Sequence, residues 1–153
     1  MVDDQERVLL LRGFDPMQDR PPWWFTPGGG VDDGESDHAG ALRELFEETG
    51  FAATSLEGPV WFRTTDFDFM GLSYTQNEVF YFLRVEHFTP IAAAWTEDEK
   101  ESMLDAKWWE LDELESATER VYPRALPREL RKLLADGLPA QPYDVGYEGP
   151  ADY

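Results

Sequence analysis

Three glutamates, Glu44, Glu47 and Glu48, fall at i, i+3 and i+4 in the run A-L-R-E-L-F-E-E-T-G-F. On a helix this spacing puts three carboxylates on one face. Leu42, Leu45, Phe46 and Thr49 take the opposite face and can dock on a core. Like charges so close repel by roughly a few tenths of a kcal/mol per pair. A hard divalent cation removes that repulsion, and carboxylate oxygens suit Mg²⁺. A solvated acidic face is the plain alternative, and the glutamates alone do not decide between the two. Their surroundings favour chemistry. Gly28, Gly29 and Gly30 follow Pro27 and form a loop whose backbone can approach a ligand, because no Cβ stands in the way. Glu35 and Arg43 sit at fixed distances from that loop. Ser36 or Asp37 is placed to cap the helix and Gly50 to end it.

The stretch Gly29–Phe51 resembles the Nudix box, G-x5-E-x7-R-E-U-x-E-E-x-G-U, where U is a bulky aliphatic or aromatic residue. Gly29 takes the first glycine and Glu35 the isolated glutamate. Arg43, Glu44 and Leu45 take R-E-U, and Glu47, Glu48, Gly50 and Phe51 take the rest. Every fixed position is filled. The resemblance implies an α/β fold, a Nudix-like α/β/α sandwich with a central mixed sheet. It implies Mg²⁺-dependent hydrolysis of a diphosphate (phosphoanhydride) linkage in a nucleoside diphosphate joined to another moiety, with Mn²⁺ as the alternative metal.

The same resemblance assigns roles. Glu47 and Glu48 are the expected principal metal ligands, and Glu44 a ligand or the base that activates water. The Gly28 carbonyl is a further ligand. Glu35 supports the site or holds another metal. Arg43 orients the carboxylates, its planar fork suiting them better than a lysine would. Gly29, Gly30 and Trp24 are the candidates for substrate contact, core packing being the competing and favoured role for the tryptophan. Nudix enzymes often bring one more acid from a late loop. Glu99 is the first candidate, with Glu97 and Glu101 beside it.

These residues need a scaffold. The chain has 153 residues, enough for one domain with a substantial core. No apolar run reaches membrane-spanning length, and no signal-peptide pattern opens the chain. There are 0 cysteines, which excludes disulfides and thiolate zinc sites; a cytoplasmic location is the default expectation. A net charge of −19 argues against a nucleic-acid backbone as partner. It would also repel a polyphosphate, unless bound metal reverses the local sign.

In chain order, Glu6–Phe14 reads as a buried strand. The strand that usually precedes it in the resembled family is expected to be missing or truncated, with Met1-Val2 at most its end. Trp23-Trp24-Phe25 is a short strand feeding the glycine loop. A hairpin is expected between about Val60–Phe69 and Tyr74–Val85. Ala106–Leu111 is a strand, and a short helix starts at Asp112. Pro127–Ala135 is a helix with proline in its first turn and Gly137 after its end. Arg120, Arg124, Arg128 and Arg131 read as surface counter-charges to the acidic body. Residues 1–137 form the expected domain, and 138–153 an extended tail that is ordered only where it packs on the body or a neighbour. His38 and His87 lack partners at metal-ligand spacing.

Two rival functions differ in class. A non-catalytic nucleotide or sugar sensor could use the same fold, but would not need the full carboxylate set. An isoprenoid diphosphate isomerase resemblance carries a catalytic cysteine that this chain lacks. A small-molecule diphosphate is the expected partner, with neither nucleic acid nor membrane, and homodimerisation is open.

Overall fold

Val8, Leu9, Leu10 and Leu11 are all almost completely buried. Successive side chains on a strand point to opposite faces, so the strand they form, β1 (Val8–Gly13), is covered on both sides. It was computed, with the rest of the chain, as a structural model that describes residues 1–91 and 102–149. β1 pairs antiparallel with β2 (Trp23–Phe25) and with β5 (Met103–Trp109). β6 (Arg120–Tyr122) pairs parallel with β2, giving the order β5-β1-β2-β6. A second sheet, β4-β3-β7, joins β3 (Glu57–Phe69) antiparallel to β4 (Leu72–Phe82) and parallel to β7 (Tyr143–Glu148). Among the described residues the helices are α1 (Asp37–Thr49), α2 (Leu111–Glu115) and α3 (Leu126–Asp136). The architecture is therefore the expected α/β arrangement, with the mixed sheet present as two parts.

Met1 to Asp3 sits between those parts. Val2 forms bridges to both Val8 and Arg84. Its N–H donates to the Leu83 carbonyl at 2.8 Å, and its carbonyl accepts from Val85 at 2.9 Å. Met1-Val2, expected at most as the end of a strand, thus places Val2 in the core. Asp3 can be buried beside it because Arg7 and two backbone N–H groups bond its carboxylate.

The β3–β4 hairpin forms as expected. Its turn is Met70-Gly71, both at positive φ, the pattern that matches the twist of paired strands. On α3, Leu126, Leu130 and Leu133 form a buried stripe against Trp61, Trp109 and Leu114. Arg120, read as a surface arginine, is exposed, and it lies in the strand β6 because pairing with β2 decides the local backbone. The residues expected as an extended tail pack on the body. Glu148 of β7 places its carboxylate 2.6 Å from Arg63 and accepts from the Arg124 N–H at 2.7 Å. Tyr147 donates its hydroxyl to Asp66 and Tyr143 donates to Glu129, both at 2.8 Å.

Candidate active site

The box helix is set at both ends. Ser36 Oγ accepts from the Ala39 N–H at 3.2 Å, a cap for an otherwise unsatisfied donor. At the other end Gly50 adopts φ 74° and donates to the Phe46 carbonyl at 2.8 Å. A Cβ there would stand 2.6 Å from Ile91 Cγ1, so the position needs glycine twice over.

Arg43 ties the site together. Its Nη1 donates to Glu44 at 2.8 Å and to Glu47 at 3.3 Å. Nη2 donates to the Gly30 carbonyl at 2.8 Å and to Glu35 at 3.0 Å, and Nε donates to Glu35 at 3.2 Å. One fork therefore joins the glycine loop to three box carboxylates, a geometry that a lysine point charge cannot reproduce. The pKa values follow. The hydrogen bonds from Arg43 hold the Glu35 carboxyl below its ordinary value, helped by the Asp32 N–H. Glu35 and then Glu44 raise the Arg43 guanidinium.

Glu44 and Glu48 are 8% and 5% exposed. Glu48 accepts from the Gly28 N–H at 2.7 Å, which clamps the helix to the loop. The close approach explains the first glycine of the box. A Cβ on Gly29 would lie 2.6 Å from the Glu44 carboxyl carbon and from one of its oxygens. Gly30 has open space around the same position, and its backbone carbonyl does its work. Among the described residues, no three acidic or histidine side chains converge as a metal-ligand set. Arg43 Nη1, bonded to both Glu44 and Glu47, holds these two carboxylates to itself.

Gly28 and Gly29 open onto a cleft of ≈ 510 Å³. Its wall includes Trp23, Phe80, Arg63 and Glu78. Trp24 is corrected to a core residue. It is 5% exposed, meets Trp109 edge-on at 5.0 Å, and donates its indole N–H to Glu119 at 2.7 Å. Strand alternation explains the exchange: if Trp24 faces the core, Trp23 faces the cleft. Glu99, Glu97 and Glu101 lie outside the described residues. His38 accepts from the Leu56 N–H at 3.1 Å, and His87 joins Asp3 and Arg7.

Two groupings had no sequence signal. Glu119 takes both Arg12 and Trp24, which fixes β2 against β1. Arg63, 6% exposed, bridges Glu78 and Glu148 from three separate segments. Burial raises the Glu78 carboxyl, with Arg63 opposing. Only chance contact in space brings such residues together, so no local pattern announces them.

A family model described as the NUDIX domain matches residues 1–130. An RNA pyrophosphohydrolase of Novosphingobium aromaticivorans is 49% identical over 53 residues, covering 35% of this chain and 32% of the relative. A putative 8-oxo-dGTP diphosphatase of Bacillus subtilis is 40% identical over 53 residues, with the same coverage. The chain thus spans about a third of the length of the curated relatives it matches. Two solved structures share the fold. The MutT protein of Methanosarcina mazei has a TM-score of 0.56 at 17% identity, over 88% of each chain. A C. elegans Ap4A hydrolase complex has a TM-score of 0.57 at 22% identity, over 85% of this chain and 88% of that one.

Proposed function

The chain belongs to the NUDIX domain family, and from that premise we propose that it hydrolyses the diphosphate linkage of a nucleoside diphosphate joined to another moiety, with Mg²⁺ or Mn²⁺ as cofactor. The observation that carries the reading is the set of Glu44, Glu47 and Glu48 on one helix face, two of them buried against the Gly28-Gly29 loop. Buried carboxylates are costly unless something compensates them. One guanidinium, that of Arg43, faces three of the box carboxylates, Glu35, Glu44 and Glu47.

The donor set fits a hard divalent cation, being oxygen throughout. Glu47, Glu48 and the Gly28 carbonyl would hold it, with Glu44 as a further ligand or as the proton acceptor for the attacking water. A divalent ion supplies polarisation of the phosphoryl oxygen and a lowered pKa for bound water. Arg43 orients Glu44 and Glu47 and links them to the Gly30 carbonyl. Gly29 and Gly30 leave backbone open to the phosphates, and Glu99 supplies an additional acid. Homodimerisation is a further part of this reading.

The test is diphosphate cleavage over a panel of nucleotide sugars, dinucleoside polyphosphates, ADP-ribose, NTPs and 5′-triphosphorylated RNA, read as the nucleoside monophosphate or pyrophosphate formed or as phosphate after a coupled phosphatase, with and without Mg²⁺ or Mn²⁺. Glu47→Gln and Glu48→Gln should abolish metal-dependent turnover while circular dichroism reports an intact fold. Unchanged turnover in either folded variant would sink the assignment. Ligand binding with no release from any substrate would favour a sensor.

A further inference from the structure

Asp15 is 2% exposed, and among the described residues only N–H donors meet its carboxylate. The Met17 N–H donates to Oδ1 at 2.9 Å. Oδ2 accepts from Gln18 Nε2 at 2.7 Å and from the Met70 N–H at 3.0 Å. A carboxylate can stay buried where such bonds replace water, and hydrogen bonds to an ionised acceptor are the strong ones. Two of the three donors belong to the loop 14–22, between β1 and β2. The third belongs to the turn of the β3–β4 hairpin, 55 residues away along the chain.

The sequence prepares each half of this contact. Asp15-Pro16-Met17 starts a turn in which Oδ1 takes the N–H two residues on. Pro16 has no N–H to offer, so Oδ2 is left for donors further away. In a two-residue hairpin turn the N–H of the first turn residue has no place in the ladder. That residue is Met70, at φ 52°, and its N–H goes to Asp15. Gln18 Nε2 adds a second link, donating also to the Asp68 carbonyl at 3.1 Å. The Met17 methyl reaches over the turn, 3.6 Å from where a side chain on Gly71 would begin. Phe14, Asp15 and Gln18 of the loop and Phe67, Asp68 and Phe69 of the hairpin all line the cleft that opens at Gly28 and Gly29. One carboxylate therefore ties together two segments of the cleft wall, and none of its bonds reaches the box helix.

We propose that Asp15 is a positioning residue for the hydrolysis: its carboxylate clasps the β1–β2 loop to the hairpin turn and holds the cleft in the arrangement that receives substrate. The effect on turnover rests on the hydrolase reading above, whereas the clasp itself does not. Substrate binds only the clasped fraction of molecules, so loosening the clasp raises the apparent KM in proportion. The chemistry is spared, since Arg43 and the carboxylates it orients lie outside these contacts. Asp15→Asn isolates the link between the two segments. The amide oxygen keeps the Met17 N–H, and Gln18 can turn its own amide over to match the new NH₂ group. The backbone N–H of Met70 has no such freedom and meets a donor in place of an acceptor.

The full chain is followed by amide hydrogen exchange, by calorimetry with ADP-ribose in Mg²⁺, and by steady-state kinetics on the panel compound cleaved fastest. In Asp15→Asn the Met70 amide should exchange about tenfold faster, the scale of losing one hydrogen bond to a charged group, while the Met17 amide keeps its protection. KM and the ADP-ribose dissociation constant should rise about fivefold, as for a clasped fraction near one fifth. The kcat should stay within about twofold of wild type, because uniform binding alone is lost. Gln18→Ala removes the side-chain link without leaving a buried donor unmet; it should act in the same direction with smaller size, and it carries the test if Asp15→Asn does not fold. Asp66→Asn alters the same hairpin at a carboxylate bonded to Thr75 and Tyr147, and should leave Met70 exchange and KM unchanged. Unchanged Met70 exchange in Asp15→Asn overturns the clasp. Faster exchange with unchanged KM and affinity, or with a fall in kcat alone, overturns the positioning role. Faster exchange and weaker ADP-ribose binding, with no panel compound cleaved by the wild type, would instead overturn the hydrolase reading and leave the clasp standing.

Discussion

Replacing Arg43 is the most direct perturbation, because it removes the group that joins the Gly30 carbonyl to three box carboxylates. In Arg43→Ala, Glu44 loses its 2.8 Å partner and Glu35 loses two donors. Breaking a fully buried ion pair costs about 3–5 kcal/mol. Here the arginine side chain is 27% exposed and Glu47 28%, so water recovers part of the loss. Glu44, at 11%, is shielded and dominates the cost. Roughly 2 kcal/mol of destabilisation is expected, below the fully buried figure for that reason. For a chain of this size that corresponds to a fall in Tm of about 4–8 °C. Arg43→Lys separates charge from geometry. An ammonium keeps the attraction but cannot reach Glu35, Glu44 and the Gly30 carbonyl together, so about half of the stability should return and much less of the turnover. The assay is thermal unfolding by circular dichroism, paired with metal-dependent formation of nucleoside monophosphate. A Tm within about 1 °C of wild type in Arg43→Ala would refute the clamp. Full turnover in Arg43→Lys would refute the claim that geometry, rather than charge, is what Arg43 supplies.

Two further predictions follow from single contacts. Gly29→Ala places a methyl 2.6 Å from the Glu44 carboxyl carbon, so Glu44 must swing away from Arg43; turnover should drop at least about tenfold and stability by about 1–3 kcal/mol. Gly30→Ala meets open space, and an unchanged Tm there beside a lowered one in Gly29→Ala checks the steric cause. Arg12 and then Trp24 hold the Glu119 carboxyl below its ordinary value of 4.5. A lowered folded-state pKa stabilises the fold above the unfolded value and loses that contribution as the pH falls through the folded one. Glu119→Gln should therefore lower Tm at pH 7, and the difference from wild type should shrink as the pH drops below 4.5. A pH-independent difference would show that packing, not charge, holds Arg12 and Trp24 in place.

Much of the scaffold was legible in local sequence because local rules govern it. Alternating and buried runs predicted β1 and the β3–β4 hairpin. Ser36 and Gly50 marked the ends of α1, and Pro127 and Gly137 marked those of α3. What failed to show was pairing at a distance. The three residues of β6 carry no strand pattern, and only the parallel register with β2 makes them one. β7 reads as a proline-flanked tail until Glu148, Tyr147 and Tyr143 find Arg63, Asp66 and Glu129.

The box itself divides in the same way. Sequence alone determined that three carboxylates share a helix face, since 3.6 residues per turn leaves no other arrangement at that spacing. It also determined that a glycine loop precedes them. Tertiary structure decided which of these groups are buried, and that Gly28 and Glu48 hold loop and helix together. It set the Glu44 carboxyl in the space that a Gly29 side chain would take. It also chose Trp23 over Trp24 for the cleft. Two adjacent identical residues are equivalent to any local rule, and only the side of the strand on which the core forms can tell them apart.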